Sequence, residues 1–175
     1  MLITTILVIG IKESARFNAG IVALKVSVVL FVIIVGVQYI DTANWGHDWN
    51  SFAPMGFSGI GAGAAYIFFA YIGFDAVSTT AQEAKNPQRD LPIGIIASLL
   101  ICTVLYILVA CVLTGMVRWD NVNIEAPIAR AFLDRGLTKA SYLITAGALA
   151  GLTSVMLVML LGQTRVLYSM AVDGL

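Results

Sequence analysis

The residues that could do chemistry in this sequence are few, and they sit where polar groups are expensive. Gly73 and Asp75 interrupt an apolar run over residues 59–82. If that run crosses a bilayer, both fall near its middle, where backbone must be hydrogen-bonded or line a cavity. A carboxylate there costs about 2.5–3.5 kcal/mol. A helix broken near 72–74 relieves both problems. Asp75 then caps the half-helix that follows. The carbonyls of Phe69, Ala70 and Ile72 are freed towards a cavity, where they suit a ligand ammonium, and Phe74 can close over it. The alternative is a continuous helix, with Gly73 packed against a neighbour and Asp75 paired elsewhere.

Lys25 is the second such residue. It lies five residues into an apolar block that starts near Gly20. It either snorkels to the interface or faces the interior of a helix bundle. A lysine held away from water can gain and lose a proton near neutral pH. The third group is Glu83, Lys85 and Arg89, between Pro87 and Pro92 and their flanks. It reads either as a solvated loop or as an ionic latch on a gate. Pro87 and Pro92 stiffen this stretch, and Leu91, before a proline, is biased away from helix. Thr153 and Ser154 fall within an apolar block, where hydroxyls usually bond the carbonyl one turn back.

Enzymatic machinery is not expected. His47 has no ligand cluster around it. Cys102 and Cys111 are nine residues apart, which on a helix is about 13 Å and too far for a disulfide. The sequence offers no nucleophile–base pair, metal set or phosphate loop, so neither a cofactor nor a metal is called for. Ten basic residues balance ten acidic ones, and without a basic stripe nucleic acid is not an expected partner.

The elements that must position these residues are membrane helices. The chain is 59% hydrophobic and 11% charged, whereas soluble domains carry about 25% charged residues. Too few charges remain to cover a water-facing surface. The apolar residues fall into five blocks, at 1–10, 20–40, 59–82, 93–117 and 140–161. The first would rise only about 15 Å against a hydrocarbon core of about 30 Å, so it reads as the truncated end of a span and the chain as a fragment. Residues 12–18 read as a short polar connection. Residues 118–138 hold an amphipathic helix, with Ile128, Ala131, Phe132 and Arg135 at helical spacing. Loop 41–57 has no Lys or Arg, while its neighbours carry Lys12, Arg16, Lys85 and Arg89. The positive-inside rule puts those neighbours in the cytoplasm and 41–57 outside. The basic loop 118–138 is then also external, and 163–175 cytoplasmic. An interrupted helix at mid-membrane is the sequence mark of a transporter binding site.

Three stretches resemble the amino acid–polyamine–organocation superfamily of transporters, closest to its cationic amino acid transporter branch. They are residues 10–18, residues 68–94 with Phe68-Phe-Ala-Tyr-Ile-Gly-Phe-Asp75 at their head, and residues 162–175. The resemblance covers essentially the whole chain. It implies an all-α multi-pass membrane protein with five-plus-five inverted repeats, of which this chain would run from the end of span 4 to just beyond span 8. Residues 118–138 become the external lid. In that family the unwound part of span 6 offers carbonyls to the substrate α-amino group, here Phe69, Ala70 and Ile72, with Phe74 as aromatic gate. Lys25 matches the span 5 lysine that replaces a sodium ion in proton-coupled members. One position departs from the pattern: Val172 stands where the family usually has Arg.

The implied function is a proton-coupled amino acid symporter working by alternating access, with cationic amino acids among the substrates the resemblance implies. A sodium-coupled or exchange-type amino acid or polyamine carrier is the alternative, and a structural subunit or enzyme ranks last. The expected partners are an amino acid, a proton and the lipid bilayer. The expected setting is a cell membrane, in particular a bacterial inner membrane. Spans 1 and 3, which carry the rest of the family's site, would lie outside this chain.

Overall fold

A computed structural model describes residues 11–46, 48–73, 86–172 and 174, with the side chains of 11–16 and 51 excepted. Every element among them is helical. We label the α-helices α1 (Ile11–Gly36), α2 (Trp49–Phe52), α3 (Gly56–Phe68), α4 (Pro87–Met116), α5 (Pro127–Asp134) and α6 (Thr138–Val172). Segments Phe17–Tyr39, Pro87–Met116 and Thr138–Val172 are long and apolar enough to cross a membrane. Residues 1–10, His47, Phe74, Asp75, Glu83 and Lys85 lie outside the described residues.

Helix boundaries differ from the sequence expectation at three places. Helix α1 already runs at Ile11, so residues 12–18 are helix rather than a connecting loop. Lys12, Glu13, Ala15 and Arg16 are good helix formers, and one glycine at position 20 costs only about 1 kcal/mol. Helix α4 begins at Pro87 and contains Pro92, so Leu91 is helical despite preceding a proline. Pro87 needs no partner at the first helical position, and Pro92 stands so near the start that only one hydrogen bond is lost. Asn86 caps this end: its carbonyl accepts from the Asp90 N–H at 2.8 Å, and the Asp90 carboxylate accepts from the Asn86 N–H at 3.2 Å. Helix α6 continues through 163–172 to Val172, for 35 residues. That is about 52 Å, well beyond the hydrocarbon thickness, so part of it must project into water or tilt.

Packing divides the chain into two compact units. One comprises Ser27–Ile72 and Ile101–Ala146. Its core is Val28 and Val32 of α1, Val112 and Met116 of α4, Ala131 and Phe132 of α5, and Ile144 of α6. Phe132 is fully buried. The amphipathic helix expected from Ile128, Ala131, Phe132 and Arg135 is α5, and its buried residues are Ala131 and Phe132. It stops in a Schellman pattern, the Gly136 N–H bonding the Leu133 carbonyl at 2.9 Å and the Leu137 N–H the Phe132 carbonyl at 3.0 Å. Gly36 lets α1 approach α4, because a Cβ there would run into Val112 Cγ1.

The same unit closes the end of α4. The Gly115 carbonyl accepts from the Asp41 N–H at 2.9 Å and from Asn44 Nδ2 at 2.7 Å. The Met116 carbonyl accepts from the Arg135 guanidinium at 2.7 Å, which also places a cation at the negative end of the helix dipole. Trp45 Nε1 donates to Thr114 Oγ1 at 3.0 Å.

The other unit comprises Met1–Val26, Gly73–Leu100 and Gly147–Leu175. In it Ser154 and Leu157 are each 2% exposed. Ser154 Oγ donates to Asn18 Oδ1 at 2.6 Å and so ties α6 to α1. Thr153 bonds back to the Leu149 carbonyl at 2.9 Å, as expected for a hydroxyl in an apolar helix.

Helix α3 is 13 residues long, about 20 Å and too short to span a bilayer. It tightens into a 3₁₀ turn at Phe69–Tyr71, after which Ile72 is extended with ψ 130°. Gly73 then takes φ +127°. A Cβ at Gly73 would meet nothing within 4 Å, so glycine is required there by backbone conformation and not by space.

Two substitutions test this packing. Gly73→Ala is expected to strain the turn by about 1–3 kcal/mol and to speed hydrogen exchange of the 69–73 amides; wild-type exchange would contradict the turn. Phe132→Ala is expected to cost about 3–5 kcal/mol, read as a lowered thermal midpoint in detergent; an unchanged midpoint would contradict its place in the core.

Candidate binding site at the interrupted helix

The interruption leaves three carbonyls in distinct situations. Phe69 O accepts from the Ile72 N–H at 3.3 Å, closing the 3₁₀ turn. Ala70 O accepts from the Tyr106 hydroxyl of α4 at 3.1 Å. For Ile72 O no donor is found among the described residues. Two sequence-expected carbonyls thus already hold one internal bond each. A carbonyl carries two lone pairs, so Phe69 and Ala70 keep capacity for a second donor.

Helix α4 braces this turn through more than Tyr106. Tyr71 Oη lies 2.9 Å from Thr103 Oγ1, and the Tyr71 and Tyr106 rings meet edge-to-face at 5.3 Å. Thr103 and Tyr106 are three residues apart and share a helix face. Neither was legible as a site residue. A tyrosine and a threonine in an apolar run carry no signal until the turn they face is known.

Of the remaining expected residues, Lys25 is half-buried in α1. It lies about 8 Å along the helix from Gly20, where the apolar block begins, and about 21 Å from Tyr39 at the far end of the apolar segment. Lys25 is also seven residues from Asn18, so it shares the helix stripe that Asn18 turns towards Ser154. Arg89 is exposed in the first turn of α4. Its expected partners Glu83 and Lys85 are outside the described residues, as are Phe74 and Asp75. Phe69, Ala70 and Ile72 are therefore brought together on one turn, and Lys25 belongs to the other unit.

A separate apolar cavity of about 630 Å³ lies among Trp45, Phe52, Met55, Ile60, Cys111 and Trp119. The polar groups on its wall, Asn44 and Trp45, are already bonded to the end of α4. It stops at Ile60 on α3, nine residues or about 13 Å before Phe69, so it is distinct from the interrupted turn. Among the described residues no group of three or more His, Cys, Asp or Glu could hold a metal ion.

The turn can accept hydrogen bonds from an ammonium or a hydroxyl. The amino acid permease family matches residues 1–175. The chain is 45% identical over 175 residues to a methylthioribose transporter of Bacillus subtilis (strain 168), covering 100% of this chain and 37% of that protein. It is 47% identical over 176 residues to the branched-chain amino acid permease BcaP of the same organism, with 100% and 37% covered. It is 49% identical over 174 residues to cationic amino acid transporter 9, chloroplastic, of Arabidopsis thaliana, with 99% and 30% covered. The chain thus spans about a third of the length of these relatives. With its long apolar helices, its interrupted α3 and a family match over its full length, the chain is part of an all-α multi-pass membrane protein and belongs to the amino acid permease family.

Proposed function

We propose that this chain supplies half of the substrate site of a secondary amino acid transporter, a proton-coupled symporter working by alternating access in a cell membrane, in particular a bacterial inner membrane. The observation that carries this reading is the turn at residues 69–73, where α3 stops at Phe68 and Gly73 takes φ +127°. The Ile72 carbonyl, with Phe69 and Ala70 beside it, receives the substrate α-ammonium. Phe74 gates the site, Asp75 caps the following half-helix, and Glu83, Lys85 and Arg89 form the cytoplasmic gate. Substrate recognition is completed by parts of the protein outside this chain.

Lys25 is the proton-coupling group in this reading. The helix stripe it shares with Asn18, which bonds Ser154, supports an interior role over snorkelling. An ammonium in that place also disfavours a sodium ion, which argues against the sodium-coupled alternative. The lid at 118–138 is external. Its three cations are held locally, Arg118 on Asp120 at 3.4 Å, Arg130 on Asp134 at 3.1 Å and Arg135 on the Met116 carbonyl at 2.7 Å. That local pairing eases the conflict with the positive-inside rule.

The relatives are named for methylthioribose, branched-chain and cationic amino acids. Backbone carbonyls accept from hydroxyl and ammonium alike, so the turn itself is compatible with all three. Side-chain choice is made elsewhere in the site.

The test is uptake of labelled leucine, alanine, lysine and methylthioribose by the full-length protein in proteoliposomes. Uptake is expected to follow an inward proton gradient, and Lys25→Met to remove that dependence. Uptake that ignores pH and follows sodium would overturn the coupling. Unchanged pH dependence in Lys25→Met would return Lys25 to the interface.

A further inference from the structure

We propose that Tyr106 is a positioning residue of the substrate site, holding the Ala70 carbonyl in a fixed direction and making α4 carry the interrupted turn. The proposal rests on the transport reading above and names a residue for that same site.

The need for such a residue follows from the backbone. In an uninterrupted helix the Ala70 carbonyl would bond the N–H of residue 74. The extended Ile72 and the φ of +127° at Gly73 end that register. A carbonyl left unpaired at membrane depth costs several kcal/mol. The Tyr106 hydroxyl removes that deficit at 3.1 Å. It takes one lone pair and leaves the other for a ligand. Because the hydroxyl sits at the tip of a rigid ring with two torsions, the carbonyl's direction is set by α4 and not by the turn.

The arrangement is braced. Tyr71 Oη reaches Thr103 Oγ1 at 2.9 Å one turn earlier on α4, and the two tyrosine rings pack edge-to-face at 80°. Both hydrogen bonds and the ring contact join a single turn of α4 to two adjacent residues, Ala70 and Tyr71. Motion of α4 along or about its axis would therefore move the Ala70 carbonyl with it. The two bonds nevertheless do different work. Tyr106 acts on a carbonyl that meets substrate, whereas Thr103 acts on a side chain that does not.

Removing only the Tyr106 hydroxyl separates these roles. Tyr106→Phe keeps the ring contact and frees the carbonyl. For the full-length protein in proteoliposomes, KM for whichever of leucine, alanine and lysine the wild type takes up is expected to rise about five- to tenfold, with kcat changed less than about twofold. Hydrogen exchange at the Ile72 and Gly73 amides should quicken while that of α5 stays as in the wild type. Thr103→Val, which removes the Tyr71 brace and keeps the Tyr106 hydroxyl, should leave KM within about twofold of the wild type. A Tyr106→Phe protein with wild-type KM would overturn the proposal, whether or not exchange quickens. So would Thr103→Val raising KM as much as Tyr106→Phe, because the effect would then be a general loosening of the turn. A wild type that takes up none of the three amino acids under either gradient would overturn the transport reading, and this proposal with it. A transporting wild type with an indifferent Tyr106→Phe overturns the proposal alone.

Discussion

A peptide carbonyl inside a bilayer has no water to turn to. That single constraint accounts for the arrangement around residues 69–73. Ending α3 at Phe68 releases carbonyls that a continuous helix would have consumed. The chain spends one on its own 3₁₀ turn and one on a tyrosine hydroxyl, and for Ile72 no donor is found among the described residues. In the proposed function a site for a ligand ammonium is made from this backbone, and the nearest side chains direct it. Such a site is specific for a hydrogen-bond donor and indifferent to what hangs from it.

The same constraint shapes the helix ends. The last carbonyls of α4 are claimed by the 41–45 segment and by Arg135. Helix α5 closes on itself through Gly136 and Leu137. These caps are also what assemble the unit built on Phe132, since the donors come from loops that would otherwise have no reason to fold back. Gly36 and the α1–α4 approach it permits add the close packing that membrane helices use in place of a hydrophobic drive. Capping and packing thus hold the outer neighbours of α4 in place, and α4 in turn holds the interrupted helix.

Much of this was visible in the residues. The apolar blocks mark α1, α4 and α6, and the pair of a glycine and a carboxylate in mid-run marks where α3 fails. The amphipathic spacing of Ile128, Ala131 and Phe132 marks α5. What stayed hidden has two physical origins. Helix ends are set by propensity and capping rather than by polarity, so the charged 12–18 stretch and Leu91 looked like loop and are helix. Long-range polar pairs leave no local pattern: Ser154 finds Asn18 across 136 residues and Tyr106 finds Ala70 across 36. A mid-helix serine is expected to bond back one turn, and only the fold shows that Ser154 does otherwise.

The most direct measurement concerns the Ile72 carbonyl itself. In the full-length protein carrying ¹³C-carbonyl isoleucine and ¹⁵N-glycine, the Ile72–Gly73 peptide gives a signal identified by its loss in Gly73→Ala. Adding a transported amino acid is expected to shift that carbonyl resonance, and to leave the Ile93–Gly94 peptide of α4 unmoved. An Ile72 carbonyl that does not respond to a substrate the protein demonstrably carries would contradict the assignment of the interrupted turn as the ammonium site.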